Sequence, residues 1–134
     1  MPPLFEFVIP QGPLSQRAKK DHLREWKTYV AEQARLAMPE PFVLATDPVA
    51  LSLLYFYDEK MLDLDNVLKP IQDALSGVLY EDDSLITDVD LRRRWRRTTF
   101  TLNDVSPVLA EGLDLGKEFV YVSLKEAPPQ DVLS

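Results

Sequence analysis

Carboxylates crowd one stretch of this chain. Asp63, Asp65, Asp73, Glu81, Asp82, Asp83, Asp88 and Asp90 follow one another with little basic compensation. From Asp58 to Asp90 there are ten Asp or Glu against two Lys, a net of −8, so the rest of the −7 chain sums to +1. Two like charges 4 Å apart repel by about 1 kcal/mol in water and several-fold more at a protein surface. A divalent cation is the usual remedy, and hard oxygen ligands of this kind suit Mg²⁺ or Mn²⁺.

The spacing says how these groups are presented. Asp63 and Asp65 are two apart, so at the end of an extended strand they point to one side. Either can cap a helix running on through Lys69 and Asp73, since Asp accepts from the free amides of a first turn. Pro70 predicts that this turn starts late or is irregular. Leu64, Leu68, Ile71 and Leu75 recur at helical spacing and are expected to face the core, with Asn66, Lys69 and Asp73 on the polar side. Gly77 is a helix stop. Tyr80 to Ser84 reads as a tight polar turn.

The order Asp63-x-Asp65-Asn66-x-x-Lys69, then Asp73-Ala74-Leu75-x-Gly77, then Asp82-Asp83-x-x-Ile86 resembles the core of the RusA family of Holliday junction resolvases. The opening Phe7-Val8-Ile9-Pro10-x-Gly12-Pro13-x-Ser15 is similar to that family's first strand and loop. The resemblance implies an endodeoxyribonuclease that resolves four-way DNA junctions by paired symmetric nicks, in recombination and repair. It implies a homodimer with one site per opposing strand. By the same resemblance Asp63, Asp65 and Asp83 fall on the catalytic, metal-holding aspartates and Lys69 on the catalytic lysine.

That chemistry makes physical sense. Phosphodiester hydrolysis needs an activated water and neutralisation of the charge growing on phosphate, and Mg²⁺ held by carboxylates supplies both. Asp63, Asp65 and one of Asp82 and Asp83 are the ligand candidates, with Asp82 as a helper if Asp83 is the ligand. A Lys69 ammonium stabilises the transition state or leaving oxygen. Asp73, one helical turn on, supports Lys69 as an i,i+4 partner, and Asn66 completes the motif. Two other readings fit the same residues: a nuclease for other branched DNA, and a RusA-like DNA-binding protein with weak or no cleavage.

The net charge of −7 favours the binding reading, because phosphate neutralisation calls for a basic surface. Positive charge is concentrated at Arg92-Arg93-Arg94-Trp95-Arg96-Arg97 and in the Gln11–Lys20 loop. Arg17, Lys19, Lys20, Arg92, Arg94 and Arg96 are the candidate DNA contacts. The arginines can equally pair with nearby carboxylates, and Trp95 can pack a base or a partner chain. The single histidine, His22, reads as a surface residue, and the lack of cysteine excludes disulfides and thiolate chemistry. No apolar run suggests a membrane span or leader, and a cytoplasmic protein is expected.

The 134 residues, 46% apolar, suit one domain with a real core. Strands are predicted at Leu4–Ile9, Val49–Tyr57, Ser84–Thr101 and Phe119–Leu124, with a short extended piece at Phe42–Ala45. Val49–Tyr57 is apolar on both faces and belongs inside the sheet. In the long strand, Asp88, Asp90, Arg92, Arg94 and Arg96 share one face, and Val89, Leu91, Arg93, Trp95 and Arg97 the other. Helices are predicted over Asp21–Met38, over the Asp63–Leu75 region and after Ser106-Pro107, with Gly112 and Gly116 bounding a turn. Residues 128–134 form a frayed tail. The expected fold is one α+β domain, a mixed sheet with helices packed on it, and the dimer surface lies near Trp95 or Phe119.

Overall fold

The computed structural model describes residues 3–133. Residues 1–2 of the expected domain and Ser134 of the expected tail lie outside the described residues. The elements are β1 (Phe5–Ile9), α1 (Lys20–Ala37), β2 (Val49–Tyr57), α2 (Leu64–Leu75), a 3₁₀ turn (Asp83–Leu85), β3 (Ile86–Trp95), α3 (Pro107–Leu113) and β4 (Phe119–Glu126). The strands form one mixed sheet in the order β1-β4-β2-β3. β4 runs antiparallel to both β1 and β2, while β2 and β3 are parallel and joined through α2. This is the expected α+β architecture, with β2 inside the sheet.

Side-chain alternation assigns the two faces. Phe7, Ile9, Leu51, Leu53, Tyr55, Val122 and Leu124 are buried in one core with Trp26, Val30 and Ala34 of α1 and Val67, Ile71 and Leu75 of α2. Each such buried aliphatic or aromatic side chain contributes roughly 1.5–3 kcal/mol relative to exposure. The other face is covered at one end by α3, whose Ser106 cap accepts from Leu109 N at 3.1 Å. There Phe56 stacks on Phe119 at 4.4 Å and meets Phe100 edge-on. Gly112 was expected to bound a turn. It lies inside α3, packed so close to Phe119 that a Cβ there would sit 2.6 Å from the ring. Phe119 is therefore a core residue, which removes it as a dimer surface.

The stripe that α2 buries keeps Ile71 and Leu75 of the predicted one and departs from it in the first turns. Val67, Pro70, Ile71 and Leu75 are buried, whereas Leu64 and Leu68 are half-buried on the flank. Nor does Pro70 delay the helix, which begins at Leu64. Proline lacks the N–H that would bond the carbonyl four residues back. That carbonyl belongs to Asn66, and Gln16 N donates to it at 2.9 Å. A missing donor in α2 thus tethers the basic loop before α1 to the first turns of α2. Gly77, at φ +80°, ends the helix as expected.

Three further expectations shift. Tyr80 was placed in a polar turn, yet it is fully buried and its hydroxyl donates to the Gln72 carbonyl at 2.7 Å. Phe42–Ala45 forms no strand; Ala45 alone bridges to Tyr80. The long strand stops at Trp95 instead of Thr101, because a turn closes there with Thr98 N bonding Trp95 O. The predicted faces hold up to that point, with a register irregularity opposite Val49 and Ala50 at its start. Residues 128–133 are exposed, with Gln130 reaching Thr87 Oγ1 at 3.3 Å.

Candidate active site

Helix α2 is the spine of the site. Its N-cap, Asp63, has extended backbone angles, and its side chain makes no capping bond. Asp65, Lys69 and Asp73 follow at four-residue spacing, so they line one side of the helix while Val67, Ile71 and Leu75 anchor the other. Lys69 Nζ donates to Asp73 Oδ1 at 2.9 Å, and Lys27 of α1 lies 3.5 Å from Asp73 Oδ2. The hydrogen bond and charge of Asp73, aided by the charge of Asp83, raise the Lys69 pKa above its ordinary value. Lys69 therefore stays an ammonium at neutral pH and acts as a fixed positive charge.

Asp83 reaches this stripe from the 3₁₀ turn, close enough for its charge to be felt by Lys69 and Tyr80. Asp82 takes a different role: it caps that turn, accepting from Ser84 N at 3.0 Å. Hydrogen bonding from the Ser84 side chain, and then from its backbone amide, holds the Asp82 carboxyl below the ordinary range. Asp65 Oδ1 accepts from Asn66 N at 3.1 Å. Among the described residues, no hydrogen bond or ion pair engages the Asp63 or Asp83 carboxylates. Nor, among the described residues, are three His, Cys, Asp or Glu side chains gathered as a ready-made metal-holding group. The donor chemistry nonetheless fits a hard divalent cation: acidic oxygens on and beside one helix, two of them uncommitted.

The loop that delivers Asp63 is pinned at four points, with Arg96 pairing a carboxylate as one reading of the arginine run expected and Tyr55, Arg93 and Glu118 in roles that reading did not identify. Asp58 N donates to Glu118 Oε1 at 2.7 Å, and Arg96 Nε lies 2.6 Å from Asp58 Oδ1. The Tyr55 hydroxyl donates to the Lys60 carbonyl at 3.0 Å, and Arg93 Nη1 to the Leu62 carbonyl at 3.1 Å. Glu118 also lies against Gly12, where a Cβ would collide with its carboxylate. The sequence signal available for these residues was the arginine run itself, two of whose five arginines, Arg93 and Arg96, serve the protein's own loop. Replacing Arg93 with Met is expected to lower activity about tenfold to a hundredfold with little change in melting temperature, since small misplacements of reacting groups carry costs of that order. Steady-state cleavage beside a thermal melt measures both, and Arg93→Lys should recover part of the loss.

The six candidate DNA contacts separate into three groups. Arg17 is exposed on the loop tethered to α2, and Lys19 and Lys20 are exposed at the start of α1 that follows it. Arg96 is half-buried and paired with Asp58. Arg92 and Arg94 are exposed on β3, opposite Leu54 and Phe56, and so on the sheet face away from α1 and α2. Arg92 pairs with Asp90 at 3.1 Å. The Gln16–Asn66 bond thus ties the segment that carries Arg17, Lys19 and Lys20 to α2, while Arg92 and Arg94 lie on the other face of the sheet.

A family model described as endodeoxyribonuclease RusA matches residues 10–101, more than half of the chain. The chain belongs to the RusA family. No curated protein matches it. RusA membership places the chain among endodeoxyribonucleases that act on branched DNA junctions. The matched region contains α2, the 3₁₀ turn, the pinned loop and the Gln11–Lys20 loop. Among the described residues, no helix is long and apolar enough to cross a membrane.

The same loop contacts predict an alkaline limit to stability. Burial, then the charge of Glu118, pushes the Tyr55 hydroxyl from 10.0 to about 12. Burial raises Tyr29, Tyr80 and Tyr121 as well. A folded-state pKa above the unfolded value means that the folded chain keeps its proton longer, so stability is full below pH 10 and falls as pH rises toward 12. Melting temperature measured from pH 8 to 12 should drop through this window. Tyr55→Phe should start lower at pH 8, for loss of the Lys60 bond, and fall less steeply.

Proposed function

We propose that this chain is a Mg²⁺-dependent junction-resolving endonuclease. It cuts four-way DNA by paired symmetric nicks as a homodimer, in recombination and repair, and works in the cytoplasm. The observation that carries the reading is the α2 stripe, with Asp63, Asp65 and Lys69 on one helix and Asp83 beside it, all within the RusA-matched region. Asp63, Asp65 and Asp83 would hold the Mg²⁺, with Mn²⁺ as a substitute. The ion, when bound, activates a water and neutralises phosphate charge.

The chain's own groups do the rest. Lys69, kept charged by Asp73, offers a cation to the charge that develops on the phosphate or leaving oxygen. Arg17, Lys19 and Lys20 grip the DNA backbone beside the scissile bond. Lys19 and Lys20 stand at the N-cap and first position of α1, where no side chain caps the helix. Cations at that positive end of the helix dipole are disfavoured by about 0.3–1 kcal/mol each, and a phosphate relieves this. Their three positive charges balance the acidic stripe and let an overall acidic chain hold DNA.

The test is cleavage of a synthetic four-way junction in Mg²⁺, with linear duplex and a flapped duplex as comparison substrates. Paired symmetric nicks in the junction alone support the proposal. Cleavage of the flap in preference makes the chain a nuclease for other branched DNA. A junction bound but uncut in both Mg²⁺ and Mn²⁺ replaces the proposal with a non-catalytic binding role.

A further inference from the structure

We propose that β3 is a self-complementary docking edge that pairs antiparallel with β3 of a second copy, with Leu91 on the two-fold axis. The inference rests on the homodimer reading above and adds the surface, direction and register. β3 ends the sheet, and among the described residues no strand pairs with its outer edge. Such an edge is a template for another strand, and proteins commonly blunt it with scattered charge. Here the charges have an order. Asp88 and Asp90 precede Leu91, and Arg92 and Arg94 follow it, all four exposed and on one sheet face.

Antiparallel pairing about a two-fold axis through Leu91 brings Asp90 opposite Arg92 of the partner subunit and Asp88 opposite Arg94 of the partner subunit. Symmetry doubles both pairs. A shift of two residues in one direction sets Arg92 against its own copy, and in the other direction Asp90 against its own copy. Directly opposed like charges are destabilising in a sheet. A shift of one residue exchanges the two faces. One register therefore satisfies every charge on this face.

The opposite face agrees. Val89 and Trp95, 44% and 48% exposed, are large apolar residues left uncovered on the same strand. In the Leu91-centred register Val89 faces the aliphatic stem of Arg93 of the partner subunit, and Trp95 lies at the end of the paired stretch. The irregularity at the start of β3 falls outside the Asp88–Arg94 stretch that pairs. The resulting sheet runs unbroken through both copies. It places both α2 helices, and so both acidic stripes, on one side of the sheet, each over the β2–β3 crossover next to the axis. Arg92 and Arg94 then serve the interface, which accounts for their position away from the acidic stripe.

The chain contains no cysteine, so single substitutions read the register directly. Residues opposed across the axis approach within disulfide range, with Cα atoms roughly 4.5–5.5 Å apart. Leu91→Cys is expected to form a disulfide-linked dimer on mild oxidation, and Val89→Cys, on the same face but off the axis, is not. Asp90→Arg should raise the dimer dissociation constant at least about tenfold in sedimentation, since two attractive pairs become repulsive. Adding Arg92→Asp to it should restore dimerisation. A wild-type dimer that neither crosslinks through Leu91→Cys nor responds to Asp90→Arg overturns this interface and leaves the homodimer reading standing. A wild-type chain that is monomeric at all concentrations, with or without junction DNA, removes the homodimer reading and the interface together.

Discussion

Replacing Asp63 or Asp65 with Asn is expected to lower junction cleavage by about a thousandfold or more, with the melting temperature unchanged or slightly raised. The loss follows from the work asked of the carboxylates. A divalent ion contributes several kcal/mol to stabilising the charge that builds on phosphate, and each 1.36 kcal/mol is a factor of ten in rate. An amide keeps the shape but not the charge. The stability result separates this role from an ordinary cap. Asp63 heads α2, yet its side chain makes no capping bond, so the helix does not lose one. Asp65 is exposed and, among the described residues, accepts a hydrogen bond only from the adjacent Asn66. Removing either charge relieves repulsion within a segment of net −8. Single-turnover cleavage and a thermal melt on the same samples test it. Full activity in either variant would sink the assignment of that residue.

Lys69→Ala is expected to lower the cleavage rate by about a hundredfold to a thousandfold, the usual loss when one preorganised donor to developing charge is removed. Asp73→Asn should lose about tenfold, because it orients Lys69 without touching substrate. The two effects should not add, since Asp73 acts through Lys69. Neither change should move stability by more than about 1 kcal/mol, because Lys69 is half-exposed and exposed ion pairs contribute little. Loss of Lys69 should lower kcat, with a smaller change in junction affinity. An equal loss of binding and rate would make Lys69 one more phosphate-gripping cation.

The amino-acid sequence determined what depends on near neighbours along the chain. The alternation of Val49–Tyr57 and the helical spacing of α1 reflect backbone periods of two and 3.6 residues, which a short window contains in full. Ser106 with Pro107 marked the start of α3, and Gly77 the end of α2, because capping and positive φ are local requirements. The pairing of Lys69 with Asp73 on the polar side of α2 was legible from their four-residue spacing. The stripe buried by α2 was legible in part: Ile71 and Leu75 are shared, while Val67 and Pro70 are buried where Leu64 and Leu68, beside them on the helix, were expected.

Only the tertiary structure decided where these pieces meet. Tyr55 to Lys60, Arg93 to Leu62, and Glu118 to Asp58 join residues from 5 to 60 positions apart, and no local period encodes such a pairing. The Gln16 bond to Asn66 arises because Pro70 leaves a carbonyl free, and which donor fills it depends on how α1 and α2 pack. The arginine run shows the difference most clearly. Its alternation was readable, but which face α1 and α2 would cover, and that β3 would be an edge, followed from β4 inserting between β1 and β2. Strand order reflects competition among long-range burials over the whole chain. It therefore fell to the folded sheet to set Arg93 and Arg96 against the loop that carries Asp63, and to leave Arg92 and Arg94 facing outward.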